Sequence, residues 1–400
     1  MKQQRKQNKK YVWYIGIICV LTVSLNLLAC IDEFCIFYRE HIYGYIASGL
    51  GFVMSAVPFP VGELLMYVGA VMVLVLVILL LVYFVSAILR LGHAKLVKTP
   101  KDEKQEKYQG CKRFLQAYLK VFFAIVCTVL LIYTTNWVIP FRAPMLDVRP
   151  EINRKYTVEE LKILRNYTVQ SLNAIAEEIG RDADGRILLC DDLHTEISSA
   201  MNQLAGEFPL LKGYYPREKA SLCSSFLEWM SIGGYTYPYT MEVSHNKYLG
   251  YLYMPVLLSH EQSHHKGYYQ ENEATFLSIL ACSNSASQHL QYAGYLEFYY
   301  YIERDYIRSM LNVYQDDLAR ELIAEQPRLS DLVRADQTDS IQQSDELYRQ
   351  EVSIRFEELF KKYAQEAGDA GWKAQGEIIG DATYGGCVKY LLEYYDGVLY

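Results

Sequence analysis

Three of the eight histidines in the 400-residue chain lie close together, in the segment Ser259–His265. Two of them, His260 and His264, form the pattern HExxH, with Glu261 between them. Residues four apart project from one face of a helix, so both imidazoles can bind the same metal ion. The carboxylate of Glu261 would then stand beside the ion, where it can take a proton from a zinc-bound water and pass it on. The pattern predicts a catalytic Zn²⁺ site with Glu261 as general base.

A catalytic zinc ion takes three protein ligands and keeps one position open. Glu271 begins the next predicted helix, after a short turn at residues 267–270, and two antiparallel helices would bring it back to the histidines. Thr275 lies four residues further on the same face and could hydrogen-bond a ligand. We predict Glu271 as the third ligand, and Glu273, on a different face, stays the alternative. His265 directly follows a ligand, points about 100° away from it and is not expected to bind the metal.

The elements that must position these residues are predicted to be mostly helical. The sequence Thr157-Val158-Glu159-Glu160 is typical of a capping box at a helix start. Residues 233–245, rich in Tyr, Thr and Val, are predicted to be extended. The predicted helices are 157–179, 191–207, 253–266, 271–292, 295–325, 344–367 and 382–395.

Three long apolar runs precede this helical part, at about residues 11–31, 64–91 and 118–140. Each has roughly the 20 residues that a helix needs to cross about 30 Å of hydrocarbon. We therefore predict a membrane domain of three transmembrane helices at 1–140 and a second domain at 141–400. The segment 42–60 is broken by Gly and Pro and is expected to lie at the membrane interface or against the helix bundle.

The distribution of charge predicts the orientation. Residues 1–140 hold 15 Lys and Arg against 7 Asp and Glu, whereas residues 141–400 hold 24 against 39. Basic residues precede the first apolar run and separate the second from the third, so these segments are expected in the cytoplasm. Everything after residue 140 is then extracytoplasmic. The net charge of −7 gives no support for binding nucleic acid.

The first apolar run and the cysteines leave two questions open. The sequence Leu27-Leu28-Ala29-Cys30 is similar to a lipoprotein cleavage site, but the apolar run is long for a signal peptide. We expect an uncleaved anchor, and cleavage at Cys30 would not change the later topology. The spacing of the nine cysteines predicts neither a disulfide framework nor a thiolate metal site.

The metal-binding stretch resembles the zincin metallopeptidases. Among these it is most similar to the gluzincins, whose third ligand is the Glu of an E-x-x-A-D pattern, which here reads Glu271-x-x-Ala274-Thr275, with Thr in place of Asp. In zincins the substrate lies along an edge strand before the metal-binding helix, and residues 233–243 are the candidate. A β-hairpin with packing tyrosines explains the same residues equally well. Residues of the types that stabilise an oxyanion are Tyr235, Tyr237, His245, His289, Arg304 and Tyr384, and none is preferred.

Most of the chain also resembles a bacterial family of unknown function, DUF3810. The resemblance rests on the three apolar runs, on Pro58-Phe59-Pro60, and on the blocks around Tyr214-Tyr215-Pro216, Gly233-Gly234-Tyr235, His260-Glu261 and Glu271–Phe276. It implies a multi-pass protein of the bacterial cell membrane with a zinc-peptidase-like domain. The expected function is a zinc metallopeptidase that acts on peptides or proteins. The alternative is a non-catalytic, zinc-binding membrane sensor or interaction protein.

Overall fold

A computed structural model describes residues 2–94, 102–151, 154–351 and 386–400. These residues are mainly helical, as predicted. The helices of the first part are α1 (Lys2–Leu28), α2 (Asp32–Tyr38), α3 (Gly44–Ser55), α4 (Val61–Ala94), α5 (Asp102–Tyr133) and α6 (Ile139–Arg142). The second part has α7 (Val158–Glu178), α8 (Leu193–Leu204), α9 (Ser224–Trp229), α10 (Met254–His265), α11 (Glu271–Ser283), α12 (Gln288–Val313), α13 (Asp316–Ala324), α14 (Asp331–Glu351) and α15 (Cys387–Tyr395). Parts of the predicted helices 344–367 and 382–395, and Tyr384, lie outside the described residues.

Three helical stretches are long and apolar enough to cross a membrane: Asn8–Leu28, Val61–Ile88 and Tyr108–Arg142. The first ends three residues before the predicted boundary, and the second begins directly after Pro60. Their directions follow from the hydrogen bonds between them, which are Tyr14–Thr128 at 2.7 Å, Asn26–Thr134 at 2.9 Å, Tyr118 to the carbonyl of Met72 at 2.6 Å and Tyr83–Tyr108 at 3.0 Å. The first and third stretches therefore run parallel, and the second runs antiparallel to both. The end of α1, the start of α4 and the end of α6 thus share one end of the bundle.

The segment between the first two long helices packs against the second part of the chain. It forms α2, a π-helical turn at Arg39–Tyr43 and α3. Tyr43 and Ala47 from this segment share a buried apolar cluster with Ile139, Met241 and Tyr269. The prediction that residues 42–60 lie against the bundle or at the interface did not include this contact with the second part.

A small sheet of the second part lies between the start of α4 and helix α10. Its strands, β1 (Lys219–Ala220), β2 (Gly234–Tyr237) and β3 (Glu242–His245), are in the order β1-β3-β2. Strands β2 and β3 form an antiparallel hairpin in which Tyr235 is paired with Ser244. The predicted extended segment is therefore a hairpin, and β2 is at the edge of the described sheet. Because side chains alternate along a strand, Gly234 and Thr236 share one face and Tyr235 and Tyr237 the other.

The core of the second part is formed by α7, α8, α10, α11, α12 and α15. The capping box at the start of α7 is confirmed, since Thr157 N–H donates to Glu160 at 2.7 Å and Glu160 N–H to Thr157 Oγ1 at 3.2 Å. The predicted break between helices at 292–295 is wrong, because α11 ends at Ser283 and α12 includes Gly294. A Cβ at Gly294 would lie 2.4 Å from the backbone nitrogen of Ser283. This glycine allows a close approach of two helices rather than a break.

Candidate metal centre

Helices α10 and α11 bring three of the predicted ligands together. Glu271 Oε2 lies 3.0 Å from His260 Nε2 and 3.7 Å from His264 Nε2. The two imidazole rings are nearly perpendicular, at 89°, with centroids 4.7 Å apart. One potential ligand atom from each of the three residues lies within 4.8 Å of the others. These residues could hold one metal ion.

The turn between the two helices determines which glutamate reaches the histidines. Helix α10 ends in a Schellman motif, in which Gly267 N–H donates to His264 O at 3.0 Å and Tyr268 N–H to Ser263 O at 3.1 Å. Gly267 has a φ of 98°, which a residue with a side chain rarely adopts. The chain therefore reverses within a few residues, and the first turn of α11 returns to the end of α10 with Glu271 facing it.

The second nitrogen of each imidazole has a hydrogen-bond partner in the protein. His264 Nδ1 donates to the carbonyl of Tyr268 at 2.8 Å. Thr275 Oγ1 lies 3.3 Å from His260 Nδ1, so the residue four positions after Glu271 contacts the other histidine. These contacts orient both rings with Nε2 toward Glu271, on the side where a shared metal ion would bind.

The charges in the cluster stabilise one another. Burial lowers the pKa of His264, but the contact with Glu271 and its negative charge outweigh burial and raise this pKa to about 9. Burial raises the pKa of Glu271, whereas its contacts with His260 and His264 have a larger combined effect and hold it well below the usual range. Glu271 is therefore ionised and His264 holds a proton, which a metal ion would displace when it binds the imidazole.

Glu261 is buried beside the cluster and contacts the edge strand. Thr236 Oγ1 donates to a carboxylate oxygen of Glu261 at 3.0 Å and to its backbone carbonyl at 2.7 Å. A Cβ at Gly234 would lie 3.2 Å from Glu261 Cγ, so this glycine makes room for the side chain. Burial raises the pKa of Glu261, while the positive charges of His264 and His260 oppose the rise. The carboxylate is fixed by the sheet on one side and the metal-binding helix on the other.

Glu273 and His265, which neighbour the ligands in the sequence, form hydrogen bonds away from the cluster. Glu273 accepts a hydrogen bond from the backbone N–H of Leu146, in the segment that follows α6, and burial raises its pKa. His265 donates from Nδ1 to the carbonyl of Met241 at 3.1 Å, and its pKa falls to about 3, first because of burial and then because of Lys266. The structure thus brings Glu271, and not Glu273 or His265, to His260 and His264.

The residues considered for the oxyanion are held by other partners. Tyr235 donates to Glu63 of α4, and the ring of Tyr237 would meet a Cβ at Gly62. His245 Nδ1 lies 3.2 Å from the carbonyl of Asn246, and His289 lies between Cys190 and the carbonyl of Tyr251. The guanidinium of Arg304 lies 5.3 Å from the ring centre of Tyr301. Within the described residues, no contact joins any of these side chains to the His/His/Glu cluster.

Tyr253 and Glu297, which were not predicted as site residues, lie near the cluster. A Cβ at Gly233 would be 3.4 Å from Tyr253 Cε1, next to the glycine that touches Glu261. Partial burial and then the negative charges of Glu297 and Glu261 raise the pKa of Tyr253, whose surface remains 41% exposed. Burial raises the pKa of Glu297 to about 7. Tyr253 could have been found from its position seven residues before His260, which places it on the same helix face.

The fold and the site together define a mainly helical protein with three helices of membrane-spanning length and a buried His/His/Glu cluster. Residues 38–392 match a family described as "Protein of unknown function (DUF3810)", and the chain belongs to this family. No match to a curated protein or to a solved structure was found.

Proposed function

We propose that this protein is a membrane-anchored, zinc-dependent metallopeptidase of the zincin type. The observation that supports this proposal most strongly is the convergence of His260, His264 and Glu271 within 4.8 Å. The general base of an HExxH site, Glu261, lies next to this group and is buried. Three ligands are also the number that a catalytic zinc ion takes.

The donor set fits a zinc ion. It offers two imidazole Nε2 atoms and one carboxylate, and the opposite ring nitrogens are occupied by Tyr268 and Thr275. Bound zinc would act as a Lewis acid and lower the pKa of a water molecule to about 7.

Three residues of the chain have assigned roles in the proposed reaction. Glu261 takes a proton from the attacking water and delivers it to the nitrogen of the leaving amine. Thr236 holds the carboxylate of Glu261 by a hydrogen bond of 3.0 Å and so fixes the direction of this transfer. The hydroxyl of Tyr253 donates a hydrogen bond to the carbonyl oxygen of the substrate as negative charge develops on this oxygen.

The edge strand β2 is the proposed binding site for an extended peptide. Its first residue, Gly234, lies beside Glu261, and the preceding Gly233 lies beside Tyr253, so that bulkier residues at these positions would block the approach. A peptide added to an exposed strand edge forms main-chain hydrogen bonds with little dependence on sequence. The scissile bond would thus be placed between the general base and the tyrosine hydroxyl.

The proposed location is the bacterial cell membrane, with the N-terminus in the cytoplasm and the metal centre on the outer side. The excess of Lys and Arg before the first apolar run and between the second and third apolar runs supports this orientation. The parallel α1 and α5 and the antiparallel α4 are consistent with it, because the short segment 29–60 and the metal centre lie at the same end of the bundle.

The test uses the full chain in lipid nanodiscs. Zinc is measured by mass spectrometry, and cleavage of a mixed peptide library is compared for the wild type, Glu261→Gln and the control Glu151→Gln, an exposed carboxylate. We expect about one zinc per chain in all three proteins, and cleavage by the wild type and the control only.

Other results would contradict the proposal in different ways. Zinc without cleavage by any of the proteins would favour the alternative, a zinc-binding membrane sensor or interaction protein. A folded chain without zinc would contradict both. Equal cleavage by the wild type and by Glu261→Gln would show that Glu261 is not the base.

A further inference from the structure

Three exposed apolar side chains form a surface near the start of α4, and two of them belong to the second part of the chain. It consists of Phe59, Leu222 and Phe226, and we call it the apolar rim. Leu222 is 57% exposed and Phe226 is 47% exposed, although both are large apolar side chains. Scattered exposed apolar residues are normal, so the position of these residues is what needs an explanation.

Hydrogen bonds place the apolar rim at the level of the first turn of α4. The backbone N–H of Leu222 donates to Glu63 Oε2 at 2.9 Å, and Tyr235 donates to the other oxygen. Glu63 is thereby fully buried. The carbonyl of Phe59 accepts a hydrogen bond of 3.1 Å from Lys219, which belongs to strand β1. The rim is therefore fixed to the end of a helix that is long and apolar enough to span a bilayer.

The exposed surface of α4 continues the apolar rim, because Glu63, which lies between them, is buried. Leu64 and Leu65, directly after Glu63, are exposed apolar residues of α4. Cys223 lies beside the hydroxyl of Tyr67, one turn further along α4. Phe226 is three residues after Cys223 in a helical turn and so lies on the same side.

The segment that carries the two rim residues of the second part is uncharged. No charged residue occurs between Lys219 and Glu228. Lys219 is buried against Glu242 at 2.5 Å, whereas Glu228 is exposed and accepts a hydrogen bond of 2.5 Å from Asn246. Leu222 and Phe226 can thus enter an apolar medium while the flanking Glu228 stays at the polar surface.

We propose that the apolar rim is a membrane contact of the second part of the chain, in which Leu222 and Phe226 insert into the lipid around the start of α4. The occupant is lipid, because the rim is continuous with the lipid-facing surface of a membrane-length helix. Strand β2 is tied to Glu63 through Tyr235, so this contact holds the sheet of the metal centre at the bilayer surface. The proposal does not depend on peptidase activity.

The experiment introduces the photoreactive residue benzoylphenylalanine at position 226 or 222 of the full chain. The control position is 188, because Leu188 is 55% exposed and also apolar, but lies in the loop between α7 and α8. Each protein is reconstituted in phosphatidylcholine nanodiscs, checked for monodispersity and irradiated. Lipid adducts are quantified by mass spectrometry.

We expect lipid adducts at positions 226 and 222 in at least fivefold higher yield than at position 188. Adduct yields at both rim positions equal to that of the control would overturn the proposal. It would also be overturned by crosslinks from these positions to another copy of the chain or to residues 352–385, since either result would show a protein covering the rim. The use of two rim positions keeps the test decisive if one substitution prevents reconstitution.

Discussion

The carboxylate of Glu242 accepts a hydrogen bond of 2.7 Å from the backbone N–H of Gly62, and this bond joins strand β3 to the first turn of α4. The N–H of Val61 donates to the other oxygen at 2.9 Å. These donors belong to the start of a helix, where backbone N–H groups lack partners within the helix. Lys219 and Thr240 also donate hydrogen bonds to this carboxylate. A long apolar helix and the sheet of the metal centre are therefore one packed unit.

Glu242→Gln is expected to destabilise this junction. The amide keeps one acceptor, loses the negative charge and leaves the buried ammonium of Lys219 without its ion-pair partner. Removing one member of a buried pair costs about 3–5 kcal/mol. We expect a fall of about 3 kcal/mol in the free energy of unfolding, measured by denaturation of the full chain in detergent. The exposed pair Arg149–Glu151 provides the control, and Glu151→Gln should change stability by less than about 1 kcal/mol. Equal effects of the two substitutions would contradict this account.

Residues 141–400 expressed alone are expected to fold poorly. Met241 and Tyr269 are buried against Tyr43 and Ile139, which such a fragment lacks. The hydroxyl of Tyr269 would lose two partners, Tyr43 at 3.0 Å and the carbonyl of Asn136 at 2.5 Å. We expect the fragment to aggregate in size-exclusion chromatography and to bind a dye that is specific for exposed apolar surface. A monodisperse fragment with a cooperative thermal transition, at the temperature found for the full chain, would show that the boundary at residue 140 separates independent domains.

The contacts between residues 1–140 and residues 141–400 could not be predicted from the sequence, whereas the metal ligands could. The spacing of His260, His264 and Glu271 follows local periodicity, and the structure brings these residues together. The sequence favoured Glu271 over Glu273, but the physical reason lies in the rotation of α11, which the Schellman motif at Gly267 sets. Tyr43 and Tyr269 are 226 positions apart, and a contact over such a distance leaves no local signal.

The same limit explains the wrong boundary between α11 and α12. The sequence predicted helices at 271–292 and 295–325, and Gly294, a residue type with low helix propensity, lies between them. Its position is instead determined by the contact with Ser283 of α11, where there is no space for a side chain. Packing between two helices outweighed the local preference, and only the three-dimensional arrangement shows why.

Thr275→Val is expected to weaken zinc binding. The hydroxyl of Thr275 lies 3.3 Å from His260 Nδ1, and valine has the same shape without the oxygen. Removing the partner of a metal-binding histidine typically costs 10- to 100-fold in affinity. We expect roughly a tenfold rise in the Kd for zinc, measured by competition with a chelator. Ser283→Ala is the control, because this hydroxyl also bonds within α11, to the carbonyl of Ile279, but does not contact a histidine. An unchanged Kd for zinc in Thr275→Val would show that the hydroxyl of Thr275 does not support His260 as a ligand.

Tyr253→Phe tests the proposed stabilisation of the oxyanion. The hydroxyl is expected to act only as charge develops, so kcat should fall by about 10²-fold while KM and zinc content stay unchanged. Tyr300→Phe is the control, since Tyr300 is an exposed tyrosine of the neighbouring helix α12. If the two variants lose activity equally, or if Tyr253→Phe loses zinc, the residue has a structural role instead.

Glu297→Gln is expected to alter how stability depends on pH. Burial raises the pKa of Glu297 from its usual 4.5 to about 7, so between these values the folded protein holds a proton that the unfolded chain releases. The wild type therefore loses stability as the pH rises through this window, and above pH 7 it retains an unfavourable buried charge. A neutral glutamine avoids that charge but gains little at low pH, where the glutamate is already protonated.

The stability of Glu297→Gln relative to the wild type should thus increase by about 2 kcal/mol between pH 5 and pH 8. Thermal denaturation in detergent at the two pH values measures this difference. Glu346→Gln, at an exposed position of α14, is the matched control, and its effect should not change between the two values. A Glu297→Gln effect that is the same at pH 5 and pH 8 would mean that the carboxylate is ionised in the folded protein at both.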